Sequence, residues 1–251
     1  MRISVPPGPE LIEPQWPAPP GVRAAFTLRT GGVSAAPYDS FNCASHVGDD
    51  EAAVAENRRR LCERLALPQA PAWLEQVHGT GVAVLGGSPE PLAPADAVVT
   101  RTVGRVCAVQ VADCLPVLLA SGDGAAVGAA HAGWRGLAAG VLEAAVRSLG
   151  ADPGEVLAWL GPAIGPAHFE VGAEVREAFL QDGPAAATAF TPNARGRWQC
   201  DLPALARQRL TALGVHRIYG GAWCTYADPA EFFSYRREGR CGRMVALIWR
   251  S

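Results

Sequence analysis

The chain of 251 residues is long enough for one large domain or two small ones with a sizeable core. A formal net charge of −2 and a pI of about 6.2, without a basic block, argue against nucleic-acid binding. No apolar run reaches the roughly 18 residues of a membrane span, and no secretory signal is visible, so we expect no membrane partner. Seven cysteines without paired spacing are typical of a reducing compartment, and we predict a cytoplasmic monomer or weak homo-oligomer.

The first predicted element is a proline-rich, extended arm over residues 1–21. Residues 23–29 predict a strand that ends in a glycine-rich turn. A helix is predicted over 51–66, because the acidic run 49–51 supplies a cap, apolar side chains recur at helical spacing, and Pro68 ends it. Short apolar runs bounded by Gly, Pro or Asp then predict a strand-rich middle, with strands at 72–78, 81–85, 96–100, 105–112, 116–120 and 125–131.

In the second half of the chain, helices and strands are predicted in mixed order. The helices cover 137–149, 173–181 and 201–213, the strands cover 156–160, 215–219 and 243–249, and residues 182–198 are a predicted loop. Because strands and helices do not alternate strictly, the predicted fold class is α/β with mixed sheets, of the α+β kind. Since we find neither a repeat nor a linker, residues 22–251 are predicted to form a single catalytic domain.

Three residues of metal-ligand type stand at the ends of predicted strands. His78 and His131 each end a strand, and Cys114 lies in a turn between two strands. Two imidazoles and a thiolate suit a borderline-soft divalent ion such as zinc, and three protein ligands leave a fourth position open, as in catalytic zinc sites. Because the spacing is too long for a local zinc finger, the residues alone equally allow buried structural histidines and a small buried thiol.

Two arginines in glycine-marked turns are candidates for anion binding. Arg135 is predicted to open a helix, whose free N–H groups favour anions, and Arg29 precedes a Thr-Gly-Gly turn. Either guanidinium could hold a phosphate group through paired hydrogen bonds. A solvated arginine is the alternative interpretation at both positions.

Two further segments carry groups that could contact a polar ring or a sugar. Asn42 and His46 share one polar segment, although loop capping by the asparagine and an exposed histidine are the locally favoured interpretation. The segment F-F-S-Y-R-R, residues 232–237, places Phe233 near Arg236, so it could stack on a heterocycle and hold an anion. It could equally be a strand that alternates between core and solvent.

Taken together, the motifs resemble one family over nearly the whole chain, from about residue 22 to residue 250. They are, in order, T-L-R-T-G-G-V-S, N-x-x-x-H-V-G-D-D, Q-V-H-G, A-D-A-V-V-T, A-D-C-L-P-V-L, A-A-H-A-G-W-R-G, G-P-A-I-G-P and F-F-S-Y-R-R. This pattern is similar to the YfiH family, also called the laccase-domain or polyphenol oxidase family and the peptidoglycan editing factor family. The resemblance implies one mixed α/β domain with sheets sandwiched between helices.

The resemblance also implies a cofactor and an activity. Zinc ligands map onto His78, Cys114 and His131, which are then the implied catalytic residues, and copper could replace zinc in vitro. Members are implied to cleave purine nucleosides with phosphate, so a nucleoside and phosphate are the expected small-molecule partners. Adenosine, inosine and methylthioadenosine are the implied substrates, and deamination of adenosine is a second implied reaction.

Two departures from the family pattern affect these expectations. Ala167, His168 and Phe169 stand where members often have cysteines, which suggests that such cysteines are not essential to the chemistry. The segment N-C-A-S-H replaces the usual N-L-G-L-H, so the finer shape of the nucleoside pocket stays open.

Two other activities also stay open. A copper-dependent polyphenol oxidase is compatible with a His2Cys ligand set, but five histidines are too few for a type 1 copper plus a trinuclear cluster. Only two methionines are available as the weak axial ligand of a blue copper site. A cysteine hydrolase or editing factor acting on cell-wall precursors would use Cys114 as nucleophile, His78 or His131 as base, and Asp113 as the orienting residue.

Overall fold

Thirteen β-strands and six α-helices occupy the part of the chain that the computed structural model describes, which is residues 8–86, 93–181 and 183–251. The strands are β1 (Leu11–Ile12), β2 (Val22–Thr27), β3 (Val82–Leu85), β4 (Ala97–Thr100), β5 (Val106–Val111), β6 (Leu115–Ser121), β7 (Val127–Ala132), β8 (Val156–Leu160), β9 (Glu170–Val171), β10 (Phe190–Pro192), β11 (Trp198–Cys200), β12 (Arg217–Gly220) and β13 (Met244–Arg250). The helices are α1 (Glu51–Arg64), α2 (Trp134–Ala139), α3 (Val141–Leu149), α4 (Ala173–Leu180), α5 (Leu202–Ala212) and α6 (Tyr235–Glu238).

The largest sheet within the described residues has six strands, in the order β12-β8-β6-β7-β4-β3. Its two outer pairs, β12 with β8 and β3 with β4, are parallel, and its inner pairs are antiparallel. A second sheet is fully antiparallel, in the order β1-β2-β13-β5, and a small third sheet has the order β10-β11-β9. This combination of parallel and antiparallel pairs confirms the predicted mixed-sheet α/β class.

The two larger sheets pack face to face, and helices cover their outer faces. The strand β5 and the strand β13 show this arrangement, because strand side chains point in turn to opposite faces. Val109 and Ile248 pack towards the six-stranded sheet, whereas Val106 and Leu247 pack towards Leu61 of α1. Beyond the six-stranded sheet, α3, α4 and α5 bury their apolar side chains, among them Leu142, Val146, Val175, Phe179, Leu205 and Leu210. The prediction of one domain with sheets sandwiched between helices is therefore confirmed.

The inner strands explain the continuous apolar runs in the middle of the sequence. Every residue of β4, β5, β6, β7 and β8 is buried, because these strands have protein on both faces. The strands predicted at 81–85, 96–100, 105–112, 116–120 and 125–131 are confirmed, with small differences at their ends.

The strand predicted over 72–78 is wrong. Only Ala72 makes a bridge, to Cys107, and the rest of the segment is a loop. The side chain of Gln76 takes the place of a neighbouring strand, because its amide binds the backbone N–H and C=O of Gln110 at 2.8 and 2.9 Å. The next three backbone N–H groups also donate to a side chain, that of Asp96. The backbone is therefore satisfied without strand pairing.

Two predicted elements around glycine and serine caps also differ from the structure. The helix predicted over 137–149 begins earlier and is divided into α2 and α3 at Gly140, whose φ of 99° favours glycine. Residues 235–238 form α6, and the Oγ atom of Ser234 caps it by accepting a hydrogen bond from the N–H of Arg237. The strand alternative for 232–237 is therefore wrong.

The predicted arm and the predicted loop after α4 lie only partly within the described residues. Residues 1–7 of the predicted arm, and Asp182 of the predicted loop, lie outside the described residues. In the middle of the predicted arm, β1 pairs antiparallel with β2. The rest of the predicted loop contains a short 3-10 helix, Pro184–Ala189, followed by β10 and the first residue of β11. Within the described ranges, no helix combines the length and apolar character needed to cross a membrane.

Candidate metal centre

The fold brings His78, Cys114 and His131 together at one end of the six-stranded sheet. One potential ligand atom from each residue lies within 4.8 Å of the other two, and the Nε2 atom of His78 is 3.9 Å from the Sγ atom of Cys114. The register explains the meeting of the last two residues, because Pro116 of β6 lies opposite His131 of β7. Cys114 in the turn before β6 therefore reaches the same sheet end as His131.

His78 reaches the cluster from the loop before β3, and a buried carboxylate shapes that loop. Asp96 is fully buried, and its oxygens accept hydrogen bonds from the backbone N–H groups of Val77, His78 and Gly79 at 3.1, 2.9 and 2.6 Å. The backbone of His78 has a φ of 60°, which is uncommon for a non-glycine residue. The three hydrogen bonds hold this turn and thereby direct the imidazole.

The same carboxylate orients the second histidine. The Nδ1–H group of His131 donates to the Oδ1 atom of Asp96 at 2.8 Å, which leaves Nε2 as the free ring nitrogen. The sequence analysis placed Asp96 at a strand start and gave it no role in the site. Its signal was a carboxylate directly before a buried apolar strand, in the A-D-A-V-V-T motif.

The protonation states within the cluster follow from burial and mutual contact. Burial alone would raise the pKa of Cys114, but the imidazoles of His131 and His78 lower it from 9.0 to about 6. Burial would lower the pKa of His131, but the Cys114 thiolate and the Asp96 carboxylate raise it to about 9. Burial raises the pKa of Asp96, but the contacts with His131 and with the N–H groups of Gly79 and Val77 lower it. The pKa of Asp96 therefore lies below its ordinary value. Without a metal, the thiolate and an imidazolium thus form an ion pair.

Two glycines of the H-A-G-W-R-G motif allow α2 to approach the cluster closely. A Cβ atom on Gly133 would lie 2.9 Å from the Sγ atom of Cys114 and 3.0 Å from the Cδ2 atom of His78. A Cβ atom on Gly136 would lie 2.8 Å from the carbonyl oxygen of Gly79. Both glycines therefore permit a close backbone approach, and at Gly133 it occurs against two of the potential ligands.

The donor set has the chemistry of a three-ligand zinc site. Zinc–sulfur and zinc–nitrogen bonds of about 2.3 and 2.0–2.1 Å place tetrahedral ligand atoms about 3.6 Å apart. The observed separations of 3.9 Å, and of at most 4.8 Å, need only small side-chain movements to reach that geometry. The Nδ1–H bond of His131 supplies the outer contact that metal-binding histidines usually make. The residues present thus fit a divalent metal ion.

The cluster lies in a cavity of about 500 Å³. Of the six residues predicted to contact substrate, His46, Arg135 and Arg236 line this cavity together with the three potential ligands. Arg29, Asn42 and Phe233 do not line it, so their predicted place in the pocket is corrected.

The contacts of these three residues explain the correction. The Arg29 guanidinium donates to Glu238 at 2.8 Å and to the carbonyl of Pro229 at 2.9 Å, and it stacks over the Phe233 ring at 4.7 Å. Phe233 is fully buried in the core. Asn42 is also fully buried, and its side chain binds within its own loop and to the N–H group of Arg243.

Four further residues of the cavity wall were missed by the sequence analysis. Gln76 and Gln110 lie in the wall with their side-chain amides bonded to backbone groups. Tyr235 is 57% exposed and presents the aromatic ring of the F-F-S-Y-R-R segment at the cavity. Arg243 follows a glycine in the segment before β13, and nothing in its local pattern distinguished it from a solvated arginine.

Asp113, the predicted orienting residue of a cysteine hydrolase, has a different role. Its Oδ1 atom accepts a hydrogen bond from the hydroxyl of Thr225 at 2.6 Å, and its Oδ2 atom accepts one from the backbone N–H of Arg236 at 2.8 Å. It therefore attaches the start of α6 to the turn that carries Cys114. The carboxylate that orients an imidazole of the cluster is Asp96.

Comparison with known proteins places this geometry in a family. A family described as multi-copper polyphenol oxidoreductase laccase matches residues 23–251. A Pseudomonas aeruginosa protein named purine nucleoside phosphorylase is 54% identical, over 95% of this chain and 97% of the relative. An Escherichia coli K12 protein named purine nucleoside phosphorylase YfiH is 52% identical, over 96% and 98% of the two chains. The chain belongs to the YfiH family.

Solved structures agree with this membership. A Neisseria meningitidis protein of family DUF152 has a TM-score of 0.90 at 47% identity, covering 96% of this chain and 99% of that one. A Bacillus licheniformis protein titled YfiH has a TM-score of 0.89 at 28% identity, covering 100% and 98%. The YfiH resemblance inferred from the ordered motifs is therefore confirmed, and the His-Cys-His cluster lies inside the matched region.

Proposed function

We propose that this YfiH-family chain is a zinc-dependent, cytoplasmic purine nucleoside phosphorylase that accepts adenosine, inosine and methylthioadenosine and also deaminates adenosine. One observation carries the proposal: the His-Cys-His cluster lies in a cavity whose wall also contains the side chains of three arginines, Arg135, Arg236 and Arg243. A Lewis-acid site and anion-binding groups in one cavity suit phosphorolysis, since together they can bind phosphate and stabilise the charge that develops in the reaction. The names of the relatives support the same reaction.

His78, Cys114 and His131 are the residues that would hold the zinc ion. When bound, zinc supplies a Lewis acid that polarises oxygen groups and lowers the pKa of water. The chain contributes a thiolate whose pKa of about 6 keeps it ionised at neutral pH, and its charge offsets half of the metal charge. Asp96 accepts a hydrogen bond from Nδ1 of His131 and thereby favours the tautomer in which Nε2 can bind a metal.

In phosphorolysis, an oxygen of phosphate forms a bond to C1′ of the ribose while the bond from C1′ to the base nitrogen breaks. The electron pair of the broken bond leaves with the purine, which takes up a proton. Arginines that line the cavity, Arg236 among them, would hold the attacking anion, and Arg135 at the same cavity could contact it once bound. In deamination, a water oxygen adds to the ring carbon that carries the amino group, and ammonia leaves.

The purine is proposed to lie at the side of the cavity formed by His46 and Tyr235. The exposed ring of Tyr235 offers the flat contact that was first expected from Phe233. His46 is exposed and can hydrogen-bond to a ring edge. Both residues border the cavity that also holds the metal ligands, so base and sugar can be bound at the same time.

The test begins with metal analysis of the purified protein. We expect about one zinc ion per chain, and adenosine with phosphate should give adenine and ribose 1-phosphate, with inosine from the deamination, resolved by chromatography. Cys114→Ser should lose both metal and activity, because a hydroxyl is a poor zinc ligand at neutral pH. The matched control is Cys224→Ser, which changes a half-buried thiol outside the cluster. Full phosphorolysis by metal-free protein would exclude a zinc-dependent reaction.

A cysteine hydrolase is the second candidate, because Cys114, His131 and Asp96 lie in the order nucleophile, base and orienting carboxylate. A hydrolase should work without metal and form a covalent intermediate on Cys114, detectable as an added mass. The copper oxidase receives less support from the structure. Met244 is buried in the core, where its sulfur accepts a hydrogen bond from Phe233, so it is not available as an axial ligand. Phenols should therefore not compete with nucleosides for the cavity.

A further inference from the structure

We infer that Arg243 and Arg236 together form the phosphate-binding subsite of the cavity, an inference that rests on the proposed phosphorolysis. Arg243 comes from the segment before β13, and Arg236 comes from α6. Both line the cavity that contains the His-Cys-His cluster. Tyr235 adjoins both residues, since it directly precedes Arg236 in the chain and its ring centre is 5.8 Å from the guanidinium carbon of Arg243.

Both guanidiniums are held in place through one nitrogen each. The Nη1 atom of Arg243 donates to the carbonyl oxygens of Cys241 and Gly242 at 2.9 and 3.0 Å. The Nη1 atom of Arg236 donates to the carbonyl oxygen of Glu170 at 3.0 Å. The other guanidinium N–H groups, on Nη2 and Nε, have no partner within the described residues, so each side chain keeps donors for a ligand.

The backbone of both residues is also fixed. The N–H of Arg243 donates to the buried side chain of Asn42 at 3.0 Å, and the N–H of Arg236 donates to the buried carboxylate of Asp113 at 2.8 Å. A guanidinium group that is already held in position loses little conformational entropy when it binds a tetrahedral oxyanion. These contacts also give Asn42 a supporting role behind the subsite, which replaces its expected contact with substrate.

The charges of the pair are not neutralised by the protein. Across the ranges that the structure describes, neither guanidinium forms an ion pair with a carboxylate, whereas the nearby Arg29 and Arg237 both pair with Glu238. Backbone carbonyls orient a guanidinium but leave its positive charge in place. Two such charges facing one cavity favour an anionic ligand.

The charge of Arg243 also acts on His46. The pKa of His46 lies below its ordinary value, chiefly because the ring is partly desolvated and secondarily because of the charges of Arg243 and Arg58. A neutral imidazole can donate a hydrogen bond to phosphate or to a sugar hydroxyl without adding charge.

Arg135 is a poorer candidate for the primary contact, although it lines the same cavity. Its guanidinium lies 4.4 Å from the ring centre of the neighbouring Trp134, and within the described residues no hydrogen bond holds it, whereas Arg236, which is also exposed, donates to a carbonyl oxygen. An anion must therefore order this side chain, at an entropic cost that the carbonyl-held pair largely avoids. Arg135 is better placed to close over a ligand that is already bound.

The test measures binding of inorganic phosphate to the zinc-loaded protein by isothermal titration calorimetry. Arg243→Gln and Arg236→Gln should each weaken phosphate binding about tenfold or more, the usual effect of losing a charge-assisted contact. Arg243→Lys should recover only part of the loss, because lysine restores the positive charge but not the paired N–H donors of the guanidinium. Arg240→Gln is the matched control, since Arg240 is exposed, bonds to the hydroxyl of Tyr38 and does not line the cavity.

Zinc content and thermal unfolding of each variant show whether it is folded. If Arg243→Gln does not fold, Arg236→Gln still tests the inference, because it changes an exposed side chain. Phosphate affinity unchanged in the folded variants, or wild-type protein that does not bind phosphate, overturns the subsite. If adenosine monophosphate binds in an Arg243-dependent way while inorganic phosphate does not, the anion is a phosphate ester and the inference is also overturned.

Kinetics separate this inference from the proposed function. If both hold, the KM for phosphate rises in the glutamine variants while the KM for adenosine changes little. Phosphorolysis with an unchanged KM for phosphate in both variants overturns the subsite and leaves the proposed function intact. Phosphate binding that depends on Arg243 in a protein without phosphorolysis supports the subsite and overturns the proposed function.

Discussion

The Nδ1 atom of His131 lies 2.8 Å from the Oδ1 atom of Asp96, and through this contact one buried carboxylate organises both imidazoles of the cluster. The same side chain accepts the three backbone N–H groups that shape the loop of His78. Two potential metal ligands, 53 residues apart in the chain, therefore depend on one residue for their orientation.

Asp96→Asn should weaken zinc binding by about 10- to 100-fold, the usual effect of losing the outer partner of a metal-binding histidine. The amide nitrogen cannot accept a hydrogen bond, so at least one N–H donor loses its partner, and the free energy of unfolding should fall by about 1–3 kcal/mol. Competition with a chromophoric chelator measures the first effect and urea unfolding the second. Asp152→Asn is the control, because Asp152 caps a short 3-10 helix and Asn can do the same. Equal zinc affinity in the two variants would contradict this role of Asp96.

Alkylation of metal-free protein should reveal the lowered pKa of Cys114. Iodoacetamide reacts with the thiolate, so the rate at Cys114 should rise through about pH 6 and level off well below 9.0, the ordinary pKa. As the pH falls through about 6, the thiol is protonated and the stabilising ion pair with His131 is lost. As the pH rises through about 9, His131 loses its proton and the pair is lost again.

Mass spectrometry of the labelled peptides provides the measurement and its internal control. Burial raises the pKa of Cys43 to about 12, so that residue should stay unlabelled across the same range. Added zinc should protect Cys114, because the metal occupies the thiolate. Labelling of Cys114 that begins only near pH 9 would be inconsistent with the ion pair.

Gly133→Ala should damage the metal centre without unfolding the protein. The backbone of Gly133 is extended, with φ −64° and ψ 156°, so alanine is conformationally acceptable there. The new methyl group would, however, stand 2.9 Å from the Sγ atom of Cys114 and displace a ligand. We expect weaker zinc binding in the chelator competition. Gly86→Ala is the control, since no atom of the described residues lies within 4 Å of a Cβ atom there, and an equal effect in both variants would refute the steric argument.

Arg29→Gln should affect stability and leave the phosphate dependence unchanged. The Arg29 guanidinium is 13% exposed and pairs with Glu238 at the end of α6, so its loss should cost about 1–3 kcal/mol of unfolding free energy. Because Arg29 does not line the cavity, the KM for phosphate should stay within about twofold of the wild type. Urea unfolding and initial-rate kinetics test the two statements, and a large rise in KM would return Arg29 to the substrate site.

Much of the fold could be predicted because its physical causes are local. Apolar runs bounded by turn residues located most strands, since the inner strands are buried on both faces. The prediction failed at 72–78, where the side chains of Asp96 and Gln76 provide the hydrogen bonds that a neighbouring strand would provide. The strand alternative for 232–237 was wrong as well, because the Ser234 cap favours a short helix there. Both failures involve side-chain contacts that periodicity does not register.

The sequence by itself determined which residues are candidates for a metal site, because the residue types of His78, Cys114 and His131 and the ordered motifs around them are visible in the chain. Only the tertiary structure decided which arginines face the cavity. Arg29 and Arg243 are both arginines next to glycine-rich segments, yet Glu238 neutralises the first, and carbonyl groups leave the charge of the second free. The physical reason is that a charged side chain can find its partner far away in the sequence. Arg29 and Glu238, for example, are separated by 209 residues.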